Sequence, residues 1–314
     1  MDASASILEE FSSYLKLKGK QQATIESYTR DAKSFLKFLS TYRIVFSQLE
    51  PSILINYQQH LWHQNGKINS IRRAMIGIKQ FVRFLMENKN LETNPFEDIP
   101  LPARDEELRG EVEHIDILNL IAIANSQASQ LKSKRDAALL SLLSFEGLKL
   151  SEIINLTWSD FIANQGLASL RIVGNRSRVL GICRESTKWL CSYQNQLTSS
   201  FPAKEFPNLY QRMFIAFKGR DSENPEEKIS RHGLKFMLYE LGSQAQIKKL
   251  NSELLRHYAI HYHILLGRTP EEIMRHFGLK RLGNIAKHFT KISPSSTTPH
   301  FEKKNSSVGE ATID

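Results

Sequence analysis

Few of the features that mark secreted, membrane or metal-rich proteins are present in this sequence. Only two of its 314 residues are cysteine, Cys183 and Cys191, which is too few for a disulfide framework or a cysteine-rich metal cluster and fits a reducing compartment. No run approaches the roughly 18 apolar residues of a membrane-spanning helix. The first residues, MDASASILEEF, lack the basic and apolar stretches of a signal peptide. These absences predict a cytoplasmic protein that does not enter a membrane.

Tyrosine is missing from the end of the chain. All nine tyrosines lie at or before Tyr262, so the region that follows it contains no phenolic hydroxyl. A tyrosine nucleophile is therefore excluded from that region by the sequence alone.

Acidic residues are too few to balance the basic ones. The formal net charge is +9 and the isoelectric point is about 9.4, an excess that favours a polyanionic partner, most often nucleic acid. The chain is basic on both sides of a short acidic segment, residues 96–113. Two basic parts joined in this way predict a clamp that neutralises phosphates on both sides of a DNA duplex. The alternative is an ordinary basic soluble protein.

Residues 1–95 are predicted to form a domain of four amphipathic helices. Apolar residues recur at helical spacing through ILEEFSSYLKLKG, TIESYTRDAKSFLKFLSTY, PSILINYQQHLWHQN and SIRRAMIGIKQFVRFLMENK. Thr24 is the predicted N-cap of the second helix, Pro51 fits the first turn of the third, and Gly19 and Gly66 end the first and third. The fourth helix is also basic, so it either lies along DNA or presents an ordinary solvated face.

Prolines and charges then interrupt the helical pattern. An extended linker is predicted over residues 96–112, a second domain over residues 113–291 and a Ser/Thr/Pro-rich tail over residues 292–314. The second domain is predicted to be helical except for a β-hairpin, in which SLRIVG and SRVLGI flank a two-residue turn. A short helix is predicted from Ser151 through LTWSDF. The predicted fold class is therefore mainly α with a small β-sheet, in two domains.

Several segments carry a resemblance to a known family through their order and spacing. In the first domain these are LEEFSSYL, ATIESYTRDAKSFLKFL and RRAMIGIKQFVRFLMENKNLETNP; in the second they are EGLKLSEIINLTWSDF, LRIVGNRSRVLGI and LNSELLRHYAIHYHILLGRTPEEIMRHFGLKRLGNIAKHFT. They resemble the core-binding domain, first catalytic box, catalytic hairpin and second catalytic box of Xer-type tyrosine recombinases, which are phage integrase relatives. The resemblance spans about residues 5–291 and implies a helical DNA-binding bundle followed by an α+β domain of the catalytic type.

The resemblance implies six catalytic positions, of which this sequence keeps one. In the family a tyrosine attacks a DNA phosphate, two arginines hold the phosphate oxygens, a hairpin lysine protonates the leaving hydroxyl and histidines assist. The second-box arginine falls on Arg256, and His257 follows it as in the family. The first arginine, the lysine, the two histidines and the tyrosine fall on Lys149, Asn175, Glu253, Leu279 and His288. Asparagine cannot be a general acid, and a carboxylate repels phosphate.

We therefore predict a double-stranded DNA-binding protein, located with the nucleoid, that has lost strand cleavage and is a pseudoenzyme of this family. The implied partners are duplex DNA and, because family members assemble on DNA, a second copy or an active recombinase. One alternative is an active integrase or recombinase that uses His288 or a partner's residue as nucleophile. The other is a protein–protein scaffold that no longer binds DNA. No cofactor is predicted.

Basic side chains elsewhere in the two domains are the candidates for DNA contacts. The alternative for each of them is a solvated surface charge. The candidates are Lys16, Lys18, Lys20, Arg72, Arg73, Lys79, Arg83, Arg176, Arg178, His257, Lys280 and Arg281.

Three histidines crowd one predicted helix. His257 and His261 are one turn apart, with His263 close by, and zinc can bind such a pair. No glutamate lies between them in the HEXXH manner and no third ligand is evident, so no metal site is predicted.

Two of the family positions also have purely structural interpretations. His288 is a structural or surface histidine unless it serves as a phosphohistidine nucleophile. Arg256 either holds a phosphate or is a buried arginine paired with Glu152 or Glu253.

Overall fold

Two compact units make up the chain, residues 1–108 and residues 109–314, and each has its own buried apolar core. The computed structural model describes residues 3–88, 91–97, 99–103, 111–164, 167–174, 176–217, 225–226, 228–281 and 283–289. Residues 104–110 of the predicted linker and the predicted tail, 292–314, lie outside the described residues. The predicted fold class is confirmed: both units are mainly helical, and a small antiparallel sheet lies in the second.

The described part of the first unit contains four α-helices. They are α1 (Ala3–Leu17), α2 (Gln22–Thr41), α3 (Pro51–Asn65) and α4 (Ile68–Glu87). The predicted apolar stripe of α4 is buried, because those residues share one side of the cylinder and pack against α2 and α3. Gly66 ends α3 in the left-handed conformation, as predicted.

The predicted start of the second helix at Thr24 is wrong. The backbone N–H groups of Thr24 and Ile25 both donate to the carbonyl of Gln21, which is therefore the N-cap. Thr24 consequently lies inside the first turn of α2. A capping side chain fixes a helix start only when no earlier backbone hydrogen bond forms, and a sequence pattern does not show this.

Helices surround a buried central helix in the second unit. They are α5 (His114–Asn125), α6 (Gln130–Ser144), α7 (Leu150–Ile153), α8 (Arg184–Ser200), α9 (Arg231–Gln244), α10 (Ser252–Leu265), α11 (Pro270–Phe277) and α12 (Gly283–Phe289). The central helix is α6, which is buried on nearly every side and packs against α5, α8 and α10. No helix in the described part of the chain is both long and apolar enough to cross a membrane.

The sheet of the second unit has the order β1-β2-β3, formed by Phe161–Asn164, Leu167–Ile172 and Arg178–Ile182. Strands β2 and β3 form the predicted hairpin, with Leu170 opposite Leu180 on the buried face. A separate two-stranded ribbon pairs β4 (Ala216–Phe217) with β5 (Pro225–Glu226).

Strand β1 was not predicted, since the segment up to Phe161 was assigned to a helix. The helix there is only α7, and a single 3-10 turn, Trp158–Asp160, follows it. The side chain and backbone N–H of Thr157 both donate to the carboxylate of Asp160, which turns the chain towards the sheet. Hydrogen bonding to β2 then makes this segment a strand, and such pairing depends on residues outside the segment itself.

Candidate functional site

Arg256 ties together three segments of the second unit. Its helix, α10, begins after Asn251, whose side chain accepts hydrogen bonds from the first turn. The guanidinium is buried, donates to the carbonyl oxygens of Gly147 and Phe277, and lies over the Phe277 ring. Burial lowers the pKa of Arg256, but an arginine remains protonated in proteins.

One of the two interpretations of Arg256 was a buried arginine paired with Glu152 or Glu253. The burial agrees with that interpretation, but the hydrogen-bond partners are two backbone carbonyls. Glu152 is engaged by Arg178 instead, and Glu253 is exposed in the first turn of α10. The guanidinium is therefore both buried and held in place, which fixes the direction of its remaining donors.

Gly147 must be a glycine at this position. Its φ is +58°, and an added Cβ would collide with the Phe277 ring and touch Ala259. The residue also presents the carbonyl that binds Arg256. Close packing here brings the loop before α7 against the end of α11.

Two arginines of the β2–β3 hairpin, Arg176 and Arg178, connect the sheet to the end of α11. Arg178 forms a buried ion pair with Glu152, N to O 2.9 Å, and donates to the carbonyl of His276 at 2.6 Å. Arg176 donates to the carbonyl of Gly278. The end of α11 is therefore held by arginines from both α10 and the β2–β3 hairpin.

Lys149 completes a cluster of four cations around one carboxylate. Its backbone N–H donates to Glu152 at 2.9 Å, and its side chain is half-buried. Burial lowers the pKa of Lys149, and the neighbouring charges of Arg256 and Arg176 lower it further. Glu152 faces four positive groups, and the exposed Glu253 adds one more negative charge near Arg256, so the cluster keeps a net positive charge and is suited to a bound oxyanion.

Three of the predicted catalytic positions contribute no cation here. Glu253 is exposed near Arg256 and acts on it electrostatically. Leu279 packs against the small apolar cluster of α10, α11 and α12, which includes Phe277 and Ile285. Asn175 lies outside the described residues.

His288 lies among histidines. It is buried on α12, its Nδ1 is 3.0 Å from Nε2 of His261, and its ring centroid is 4.9 Å from that of His257. A neutral pair at this distance needs one ring to donate and the other to accept. Two histidines of α10 therefore orient the imidazole of His288, the residue predicted to stand at the position of the family's nucleophile.

The nearest tyrosines along α10 face away from Arg256. At about 100° per residue, Tyr258 and Tyr262 lie about 200° and 240° around the helix from it. Tyr258 hydrogen-bonds His114 of α5, and the ring of Tyr262 stacks on the same histidine. Burial raises the pKa of Tyr262 to about 12, which disfavours its phenolate.

The basic candidates of the first unit differ in how they are engaged. Lys16, Lys18 and Lys20 are exposed where α1 ends, and Lys18 pairs with Glu87 at 3.1 Å. The others lie on α4: Arg72 donates to the carbonyl of Pro102, Arg73 pairs with Asp31, Lys79 lies over the Phe96 ring and Arg83 is exposed. In the second unit, Lys280 and Arg281 are exposed after α11.

A second polar cluster behind Arg256 was not predicted from the sequence. Glu146, His263 and His276 are all buried, and their side chains converge between α6, α10 and α11. Glu146 is far from the two histidines in sequence, so no local spacing could indicate the group.

Comparison with known proteins agrees with this architecture. The pattern described as "Phage integrase, N-terminal SAM-like domain" matches residues 8–89, and the one described as "Phage integrase family" matches residues 111–286. A tyrosine recombinase XerD of Halalkalibacterium halodurans is 27% identical over 306 residues, which covers 95% of this chain and 97% of that protein.

Two solved structures show the same fold. The XerH site-specific recombinase bound to palindromic difH substrate has a TM-score of 0.70 at 14% identity, covering 93% of this chain and 82% of that one. A lambda integrase dimer bound to a COC' core site has a TM-score of 0.65 at 11% identity, covering 96% and 99%.

Proposed function

Because this chain belongs to the phage integrase family, we propose that it binds double-stranded DNA and does not cleave it. One observation carries the proposal: the sequence has no tyrosine after Tyr262, and His288, the residue that we align with the family's tyrosine nucleophile, is buried beside His261. Binding and cleavage need different groups, so one can persist without the other. The proposal includes a location of the protein with the nucleoid. It also includes a partner on DNA, either a second copy of this chain or an active recombinase.

The cation cluster supports binding. Lys149, Arg176 and Arg256 lie around the Glu152 carboxylate, and a phosphate would offset the repulsion between these three cations. The two solved structures named above are one recombinase and one integrase, both bound to DNA, which supports DNA binding by this chain as well. Exposed lysines at the end of α1 offer further phosphate contacts in the other unit.

The substitutions argue against cleavage. The family's hairpin lysine aligns with Asn175, whose amide is too weak an acid to protonate a leaving hydroxyl. Leu279 is apolar and packed, and Glu253 adds negative charge near the phosphate site. Tyr258 and Tyr262 contact His114 of α5. Burial raises the pKa of both phenols, so both remain protonated.

A histidine nucleophile is the rival interpretation, because His261 orients the His288 ring as a base orients a nucleophile. It would form a phosphoramidate link to DNA. The same experiment separates the two functions, since only the rival leaves a covalent adduct.

The test is duplex DNA binding across a salt series, with denaturing gels run on the same samples and on a nicked duplex. We expect affinity to fall steeply as salt rises and no protein–DNA adduct to survive denaturation. Lys149→Gln should weaken binding, whereas Lys204→Gln, an exposed lysine outside the predicted set, should not.

Two results would contradict the proposal. An adduct that is lost in His288→Ala would show an active enzyme with a histidine nucleophile. Failure to bind duplex DNA even at low salt would favour the scaffold alternative.

A further inference from the structure

A buried cluster of metal-ligand side chains lies behind the cation site. Glu146 follows α6, His263 is on α10 and His276 is on α11, and their relative exposures are 1%, 2% and 7%. One ligand atom from each lies within 4.8 Å of the other two. The carboxylate Oε2 is 3.3 Å from Nε2 of His276, and the two imidazole centroids are 4.3 Å apart.

Two imidazole nitrogens in this cluster are buried and unsatisfied. Nε2 of His263 is 2.8 Å from the carbonyl of Phe145, so it carries the proton and leaves the lone pair on Nδ1. Neither that Nδ1 nor Nε2 of His276 has a hydrogen-bond partner among the described residues. Nε2 of His276 is 3.3 Å from Oε2 of Glu146, within reach of an ion pair if that ring is protonated. Buried polar atoms are rarely left in this state without a ligand or a special role.

The chemical types of the three side chains also suit a cation. Neutral imidazole and ionised carboxylate are the forms in which histidine and glutamate bind metals, and the cluster brings together two histidines and one glutamate.

We propose that Glu146, His263 and His276 bind a divalent transition-metal ion, with zinc the best fit. Zinc prefers imidazole nitrogen and carboxylate oxygen at about 2.0 to 2.2 Å in a tetrahedron, whose donors are then about 3.3 Å apart. The Glu146–His276 pair already has that separation, 3.3 Å. Two histidines and a glutamate leave a fourth position for water.

Outer contacts orient two of the three ligands. The backbone N–H of Cys183 donates to Oε1 of Glu146 at 2.8 Å, leaving Oε2 directed at the histidines. The Phe145 carbonyl fixes the tautomer of His263. Such carbonyl and N–H partners are typical of protein zinc ligands.

One contact must change when the ion binds. The guanidinium of Arg268 is 3.3 Å from Nδ1 of His276, and metal binding through Nε2 puts the proton on Nδ1. Arg268 is partly exposed and follows α10, so it can turn into solvent.

The ion would have a structural role beneath the phosphate-binding cluster. Glu146 directly precedes Gly147, and His276 directly precedes Phe277. The backbone carbonyls of Gly147 and Phe277 are the two that accept hydrogen bonds from Arg256. An ion joining the two side chains would fix both carbonyls at once. The site goes beyond the proposed DNA binding and does not depend on it, since metal content is measured without DNA.

The experiment is zinc binding by the full chain, tag-free and freed of metal by chelator dialysis, in competition with a chromophoric chelator at pH 7.5. We expect one tightly bound zinc per chain and a rise in Tm with zinc. Cobalt should give the visible absorption of a tetrahedral site. Less than stoichiometric zinc, or a Tm unmoved by zinc, would overturn the proposal.

Variants locate the ion. His263→Gln and His276→Gln should each lower zinc affinity by more than the roughly 10- to 100-fold that follows removal of an outer partner. Matched controls are His60→Gln and His232→Gln, which should bind zinc as the unaltered chain does. Loss of binding in His261→Gln, with His263→Gln unaffected, would place the ion at the other histidine group and overturn the assignment.

If a variant of one of the ligand residues fails to fold, the unaltered chain still tests the proposal. X-ray absorption at its zinc edge should show two imidazole ligands and oxygen at the distances above. A shell without imidazole scattering, or one containing sulfur, would contradict the assignment. If the cluster instead holds only a proton between Glu146 and His276, the zinc titration gives no stoichiometric binding.

Discussion

Burial decides what each charged residue near Arg256 does. Glu152 and Arg178 form a largely buried ion pair, with side-chain exposures of 11% and 8%. In the pair Arg171–Asp160, by contrast, the arginine side chain is 56% exposed. Breaking a buried pair leaves an uncompensated charge, and breaking an exposed one costs little. Glu152 therefore has a structural role in addition to balancing the cations around it.

Acidification should weaken the unaltered chain through Glu152. Burial by itself would raise the pKa of this carboxyl, but hydrogen bonds from Arg178 and the backbone of Lys149 lower it below 4.5. Its stabilising effect is therefore present above about pH 4.5 and is lost as the pH falls through the lower folded-state pKa. Urea unfolding at several pH values should show unaltered chain and Glu152→Gln converging below pH 4.5. A gap that stays constant or widens on acidification would contradict this assignment.

Gly147→Ala should be strongly destabilising. The left-handed backbone and the collision of Cβ with Phe277 together cost about 3 kcal/mol. The control is Gly19→Ala, at φ +68° with nothing within 4 Å of the added Cβ, which should cost about 1 kcal/mol. Chemical denaturation measures both variants, and equal losses would show that close packing at Gly147 contributes nothing.

At the scale of elements, the short helix α11 positions the carbonyls on which the site depends. It has a complete capping box, in which Thr269 Oγ1 accepts from the N–H of Glu272 and the Glu272 carboxylate accepts from the N–H of Thr269 at 2.8 Å. Gly278 ends it at φ +59°. Eight residues are too few for a stable helix on their own, so caps and packing hold it.

Thr269→Ala should therefore destabilise the second unit by about 1 kcal/mol, the usual cost of removing an N-cap. Thr198→Ala removes another exposed threonine hydroxyl, which donates back to its own helix at Gln194, so it should have almost no effect. Thermal unfolding of both variants provides the comparison, and a neutral Thr269→Ala would mean that packing alone fixes α11.

Elements differ in how far the sequence predicts them. The stripe of α4 and the β2–β3 hairpin were predicted correctly because their periodicity and turn residues are local. Strand β1 and the start of α2 were not, because a distant strand and an earlier backbone hydrogen bond decide them.

At the scale of the whole molecule, positive charge is present in both units. Lys16, Lys18 and Lys20 form an exposed group in the first, and Lys149 and Arg176 belong to the cluster in the second. If both units touch DNA, each contributes its own phosphate contacts to the salt dependence of binding.

Replacing Lys16, Lys18 and Lys20 together by glutamine should flatten the plot of log affinity against log salt, by about 0.9 for each DNA phosphate that the variant no longer neutralises. The matched control replaces Lys33, Lys37 and Lys204, three exposed lysines outside the predicted set. Fluorescence anisotropy with a labelled duplex gives both slopes. Equal slopes in the two variants would remove the end of α1 from the predicted DNA-binding surface.

The sequence by itself determined the mainly helical fold with its hairpin, the basic charge and the absence of tyrosine after Tyr262, because these depend on local periodicity, composition and identity. Only the tertiary structure decided that Arg256 is held by two carbonyls and that Glu152 pairs with Arg178. The same holds for the meeting of Glu146 with two histidines. Burial and hydrogen-bond partners come from segments far apart along the chain, and no spacing within one segment contains them.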